Sequence, residues 1–559
     1  MCERMSGSPP CLSCPRAPQV FPVVQAAFAP LRHSTFRALW LANLASNTGL
    51  WIQNTGAGWL MTSLAPSPVM VSLVQAAAML PVFLFALPGG ALADVLDRRR
   101  TLIAAQLWIA TAGLLLAVLA ALGLLGPWGL LALTFAIGAG TAVIFPAWAA
   151  ATPELVPQED MVQAVALNGV GFNLARALGP ALGGFVMAAA GAATAFALNA
   201  LGFLALLWAL VAWRRPIPPR SDLPPERLPS AVRAGLRFAI AVPAMRAAIL
   251  RACAFFLFAS AVWALLPLVV RDRLGLGPAA FGLMLGVAGC GAVAAGVAMP
   301  MLRERLPQGR LVFFASLLAY AATALLGLAS HWAPAALAML LFGAAWLAAG
   351  STLGVAAQLT SPTWARARAL GVYHLSFFGA LALGAMLWGW VGTRAGVPMA
   401  LVLCAGTGAL AAAAVRPWRL DGSAPDTAAS RVRGLPDVPL PRPNAPAPTL
   451  ADLLHEDSGR LLEAVHYRID PADRGAFLAA MREVRHVRMR AGALVWRLYE
   501  DVAQPERWTE LWAVESWTEH LREATRLDET DRAALAHAAA MHRGDEPPKA
   551  SRHLNVDPC

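Results

Sequence analysis

Three groups of side chains in this 559-residue chain could do chemistry, and each sits in an apolar setting. The stretch "GALADVLDRRR", residues 90–100, ends an apolar run on Asp94 and follows it with Asp97 and Arg98, Arg99 and Arg100. A carboxylate at a membrane edge is costly unless it is paired or capped by helix amides. Fixed positive charge one turn further on could latch it. Gly90 and the flanking alanines let that helix end approach a neighbour closely. The second group is Asn43, Asn47 and Asn54, at spacings of four and seven, which places three amides on one helical face. They could line a polar cavity or bond across helices. The third is Arg176, the one charge between residues 162 and 213, followed by Gly179-Pro180, which is expected to kink its helix. Such an arginine needs carbonyls, water or an anionic ligand. Trp263, Trp346, Gln358 and His374 are weaker substrate-contact candidates in the second half, and His374 could titrate near neutral pH.

The elements that must position these residues are membrane helices. Hydrophobic residues make up 58% of the chain, charged residues only 14%, and the mean hydropathy is +0.56. Soluble domains carry about a quarter charged residues. A bilayer-crossing helix takes about 20 apolar residues. Uncharged stretches at 38–93 and 101–153, broken at "APSP" (65–68) and Gly126-Pro127, give four crossings. Residues 162–213, broken near Gly191, give two more. Runs at 247–270, 279–302, 311–330, 333–357, 369–391 and 395–415 give another six. The expectation is an all-α membrane protein of twelve transmembrane helices in two six-helix bundles, residues 31–213 and 246–416, after an extension at 1–30.

The basicity resides in that apolar part: residues 1–420 hold 26 Arg, no Lys and 10 acidic residues, and an acidic tail brings the net charge of the whole chain to +11. With both ends inside, arginines crowd the inner loops, and the outer loops hold only Arg271, Arg273 and Arg394. Orientation charge accounts for this basicity, so no nucleic-acid partner is expected. The acidic loop "PELVPQED" (153–160) is the exception. Residues 214–245 read as a cytoplasmic linker with a basic amphipathic helix. Seven cysteines supply no disulfide framework, and Cys11 and Cys14 form a lone CxxC without a second pair. No phosphate-binding loop occurs, and no cofactor or metal is expected.

Residues 417–457 form a Pro-rich linker. Beyond it, residues 458–559 read as a soluble α+β domain of order βαββαβ. Strands are expected at 463–469, 493–501, 508–516 and 550–556, with helices at 471–487 and 517–541. That order is that of a ferredoxin-like sandwich. Trp496 and His520 could serve a reaction there, although core and interface roles suit the tail aromatics better.

The opening stretch resembles the loop 2–3 signature of the major facilitator superfamily, with Gly90, Leu92, Ala93, Asp94, Arg98 and Arg99 matching. Val95 and Asp97 depart from it. Further matches are "SNTGLWIQNTGAGWLMTSL", "PELVPQEDMVQAVALNGVGFNLARALGPALGG", "WALLPLVVRDRLG" and "WARARALGVYHLSFFGALALG". Together they are similar to the bacterial transmembrane secretion effector branch. The tail "GALVWRLYEDVAQPERWTELWAVESWTEHLRE" resembles that branch's carboxy-terminal extension, itself similar to dimeric barrels of the antibiotic-biosynthesis monooxygenase type. The resemblance implies alternating access by two halves, with Gly90, Asp94, Arg98, Arg99, Gly179 and Pro180 in gating. It implies a secondary transporter and not an enzyme, a proton-driven exporter of a siderophore, drug or metabolite. Asn43, Asn47, Asn54, Arg176, Trp263 and His374 are its substrate-contact candidates. The alternative is a membrane-anchored enzyme or sensor acting through the tail. The expected location is the bacterial inner membrane, in contact with lipid, with both termini and the tail cytoplasmic and self-association through the tail.

Overall fold

The computed structural model describes residues 28–95, 97–213, 236, 242–361, 366–420, 460–527, 529–544 and 546–555. The amphipathic helix expected before residue 242, most of the Pro-rich linker and the CxxC lie outside the described residues. So do the surroundings of Gly90 and the side chain of Asp94, within a helix that runs on to Val95.

The chain begins with α1 (Ser34–Leu64), α2 (Pro68–Val95), α3 (Arg98–Ala121), α4 (Pro127–Ala151) and α5 (Met161–Ala212). It continues with α6 (Pro243–Leu268), α7 (Pro278–Arg305), α8 (Gln308–Leu328), α9 (Trp332–Leu359), α10 (Arg366–Ala395) and α11 (Val397–Ala414). Pro68, Pro127, Pro243 and Pro278 open their helices, where a missing N–H costs nothing. At a rise of 1.5 Å per residue, α5 would be about 78 Å long if straight, against a hydrocarbon core of about 30 Å. It is interrupted at Gly191, whose φ of 77° and ψ of −179° suit a residue without Cβ. The backbone dihedrals stay helical at Gly179-Pro180. Gly179 packs closely: a Cβ on it would lie 2.5 Å from Trp51 Cβ.

Among the described residues, ten helices are long and apolar enough to cross a membrane, with α5 counted once. The amide- and hydroxyl-bearing α1 is not among them. The chain divides into two compact units. One takes in Met1–Asp222, Ala264–Cys290 and Ser330–Met339; the other takes in Leu223–Trp263, Gly291–Ala329 and Leu340–Cys559.

In the first unit, α1 packs along both halves of α5. Trp40 lies over Gly171, Trp51 against Gly179 and Ile52 against Gly183, so α1 runs parallel to the first half. Asn199 meets Gly49 and Phe196 meets Gly56, so the second half returns antiparallel. Buried Asn199 donates to Gln53, and Gln106 donates to the Phe203 carbonyl at 2.9 Å, which fastens α1 and α3 to that half. The first turns of α7 also cross α5, backbone against backbone. A Cβ on Gly184 would sit 2.6 Å from the Cα of Gly282. In the second unit, Gly384 packs against the Leu257 carbonyl, Gly408 against Tyr320, and Gly291 against the Leu340 carbonyl.

The tail is a four-stranded antiparallel sheet of β1 (Leu461–Arg468), β2 (Val495–Glu500), β3 (Arg507–Val514) and β4 (Lys549–Leu554), in the order β2-β3-β1-β4. Helices α12 (Arg474–Ala491), α13 (Trp517–Arg526) and α14 (Glu529–Ala540) complete it. The single helix expected over 517–541 is two helices, because Leu527 turns to extended backbone. Leu461, Val465, Phe477, Met481, Val484, Trp508 and Trp512 form its core.

Candidate functional site

Arginines finish helices in both units. Arg99 donates to the last carbonyls of α5, Nη2 to Val211 at 2.6 Å and Nε to Leu210 at 3.3 Å. A cation there meets the negative end of the helix dipole and its orphan carbonyls. Buried Arg251 does the same beyond α11, donating to the carbonyls of Arg416 at 2.9 Å and Trp418 at 3.0 Å, and to Gly309 at 2.8 Å. Arg98 pairs with Glu154 at 2.8 Å, and Asp97 caps α3 by accepting the Arg100 N–H at 2.9 Å. His33 at the start of α1 meets Asp160 at 2.9 Å. The acidic loop that broke the charge pattern thus supplies the partners of two basic groups. Sequence reasoning gave no partner role to Glu154 and Asp160 and no capping role to Asp97. The signal for the first two was the excess of carboxylates in a short loop otherwise expected to be basic.

At its other end α1 is held by Arg271, whose Nη1 donates to Thr62 Oγ1 at 2.7 Å and Ser63 Oγ at 2.8 Å. Trp59 stacks on Phe281 nearby, with ring centroids 5.9 Å apart.

Asn43, Asn47, Asn54 and Arg176 belong to the first unit. Asn47 donates to the Asn43 carbonyl at 2.8 Å and to its side-chain oxygen at 3.0 Å, and all three asparagines are half-buried. The fully buried amides that bond across helices are Gln53, Gln106 and Asn199. Trp40 over Gly171 and the Thr48 carbonyl against Gly179 set the register of α1 on α5. That register places Arg176 at the depth of Asn47. Arg176 is half-buried and has no hydrogen bond or ion pair with another described residue. Pro180 lacks the N–H that would bond the Arg176 carbonyl, so a backbone acceptor is freed at the same level.

Trp263 and His374 belong to the second unit. Trp263 packs edge-on against Trp346 at 5.4 Å and Phe342 at 6.0 Å, and its indole N–H is buried without an acceptor among the described residues. His374 lies beside Tyr373, 5.5 Å between rings, and Gln358 is exposed. In the tail, Trp496 donates to Glu510 at 3.0 Å and His520 meets Glu463, so both belong to a buried polar network.

The transmembrane secretion effector family matches residues 25–558. The enterobactin exporter EntS of Escherichia coli is 28% identical over 389 residues, covering 68% of this chain and 90% of that protein. The enterobactin exporter EntS of Shigella boydii serotype 18 matches to the same extent. A bacterial homologue of the human lysosomal transporter Spinster, solved inward-facing and unoccupied, superposes with a TM-score of 0.56 at 14% identity. That match covers 69% of this chain and 96% of the homologue. A POT family transporter solved with 5-aminolevulinic acid gives a TM-score of 0.56 at 14% identity, over 68% of this chain and 95% of that one. The fold is that of the major facilitator transporters, and the chain belongs to the transmembrane secretion effector family as a multi-pass membrane transporter.

Proposed function

We propose that this secondary transporter exports small, anionic, partly aromatic molecules such as catecholate siderophores, and that a proton gradient drives it. Twelve crossings are reached by adding α1 and the second half of α5 to the ten apolar helices. Both termini and the tail are cytoplasmic in this reading, supported by the arginine-rich loops on one side. The tail is a ferredoxin-like domain, supported by its strand order. It pairs with a second copy through the uncovered sheet face that exposes Leu462, Val495 and Tyr499.

The observation that carries the substrate class is Arg176. A guanidinium at the depth of Asn47, without a protein partner among the described residues, suits a substrate carboxylate or phenolate. Asn43, Asn47 and Asn54 add neutral donors and acceptors in the same unit, and Trp263 and His374 are separate candidates in the other unit. The experiment is export from cells of matched anionic and neutral substrates by wild type, Arg176→Lys and Arg176→Gln. Arg176→Gln should raise the KM for the anionic member at least tenfold and leave the neutral one unchanged. Equal KM values for the anion in all three proteins would overturn the anion site.

A further inference from the structure

We propose that Glu463, His520 and Glu523 in the tail form a binding site for one divalent transition-metal ion. Their ligand atoms all lie within 4.8 Å of one another. Around a tetrahedral zinc with bonds of about 2.1 Å, neighbouring ligand atoms are about 3.4 Å apart, so small rotamer shifts close the site. An imidazole with two carboxylates is a donor set for a borderline ion of the zinc type.

The sequence builds the site from two rigid pieces. Ser516 caps the start of α13, its Oγ accepting the Glu519 N–H at 3.3 Å. His520 and Glu523, three residues apart, then share one face of the helix. Glu463 is on the central strand β1, in a cross-strand row with Arg552 of β4, Trp512 of β3 and Trp496 of β2.

Charge balance points to a missing cation. Glu463, Glu510 and Glu523 are each at most 6% exposed. Arg488, stacked 3.7 Å over the Trp512 ring, pairs with Glu510 at 3.2 Å and with Glu523 at 3.0 Å. One guanidinium thus serves two buried carboxylates. Glu463 has His520 on one oxygen, and the nearest cation to its other oxygen, Arg552 Nε, is 3.9 Å away. Arg552 Nε is itself buried with no hydrogen-bond partner among the described residues, so this corner is incomplete. Burial raises the Glu523 carboxyl above its usual range; Arg488 opposes the rise and Glu463 adds to it. A divalent ion between Glu463 and Glu523 relieves that repulsion. Arg488 and Trp512, both donating to Glu523, then orient a ligand carboxylate in the way outer partners commonly do.

The test is equilibrium dialysis of Zn2+ against the full-length protein in detergent, stripped with EDTA, on a Cys11→Ser/Cys14→Ser background that removes the thiol pair. Expected are one zinc per chain, affinity at least tenfold weaker in His520→Gln and in Glu523→Gln, and no change in His466→Gln on the uncovered sheet face. Circular dichroism establishes that the variants fold. Quenching or enhancement of tail tryptophan fluorescence on adding Zn2+ should vanish in the same two variants. Stoichiometry far below one, or unaltered affinity in folded His520→Gln, overturns the site.

Discussion

A guanidinium inside a membrane protein needs an acceptor, and the arginines here divide by what they find. Arg99 and Arg251 end helices, Arg98 has a carboxylate, and Arg271 has two hydroxyls. The side chains of Arg98 and Glu154 are 35% and 20% exposed, so their pair contributes at most about 1 kcal/mol to stability. The proposed gating role of Arg98 places the effect of the pair in the equilibrium between transport states. Arg98→Glu should slow export, and adding Glu154→Arg should restore a substantial part of it, measured as initial rates in cells at equal protein levels. A double variant no faster than Arg98→Glu would remove the pair from gating. In the tail, burial lowers the His542 pKa from its ordinary value of about 6.5, the Glu546 carbonyl opposes this and Arg468 adds to it. His542 Nδ1 accepts the Arg468 N–H at 2.8 Å, which a protonated ring cannot do. A base with a depressed folded pKa stabilises above its unfolded pKa, and this is lost as pH falls through the folded value. The tail's melting temperature should therefore fall between pH 7 and pH 5. His542→Asn, which keeps an acceptor and does not titrate, should flatten that slope.

At the scale of elements, glycine decides how near the helices come. Gly184 and Gly282 bring α5 and α7 into backbone contact, and a side chain at either position must push them apart. Gly184→Leu or Gly282→Leu should destabilise the protein by about 1–3 kcal/mol through overpacking and reduce transport. Thermal unfolding in detergent checks the first part, and unchanged melting in both variants would contradict the contact. The helices themselves were legible in the sequence because uncharged runs between Pro, Gly and Arg mark their ends. Gly191 was legible as the break in α5, being the glycine between two crossing-length apolar runs. The close contact at Gly179 was not, since it depends on where Trp51 of the neighbouring helix lies. The asparagines of α1 could be placed on one face by spacing alone. Which amides are fully buried depends on what α5 presents to them, so Gln53 and Asn199 stayed hidden. The break of the last tail helix at Leu527 also left no mark, as no proline or glycine stands there.

For the whole molecule, apolar helices carry transport and the tail folds around its own core. Removing residues 421–559 should leave export above half of the full-length rate, while light scattering of the purified protein should show a drop from dimer to monomer. Loss of all export on deletion, with the shortened protein inserted normally, would shift the function to the tail. The most direct measurement is uptake into everted membrane vesicles energised by an imposed proton gradient, with a panel of anionic aromatic substrates including catecholate siderophores. Vesicles containing the protein should accumulate at least one of them, and a protonophore should abolish the accumulation. Uptake no greater than in vesicles lacking the protein, across the panel and with the protein shown to be inserted, would contradict proton-driven export.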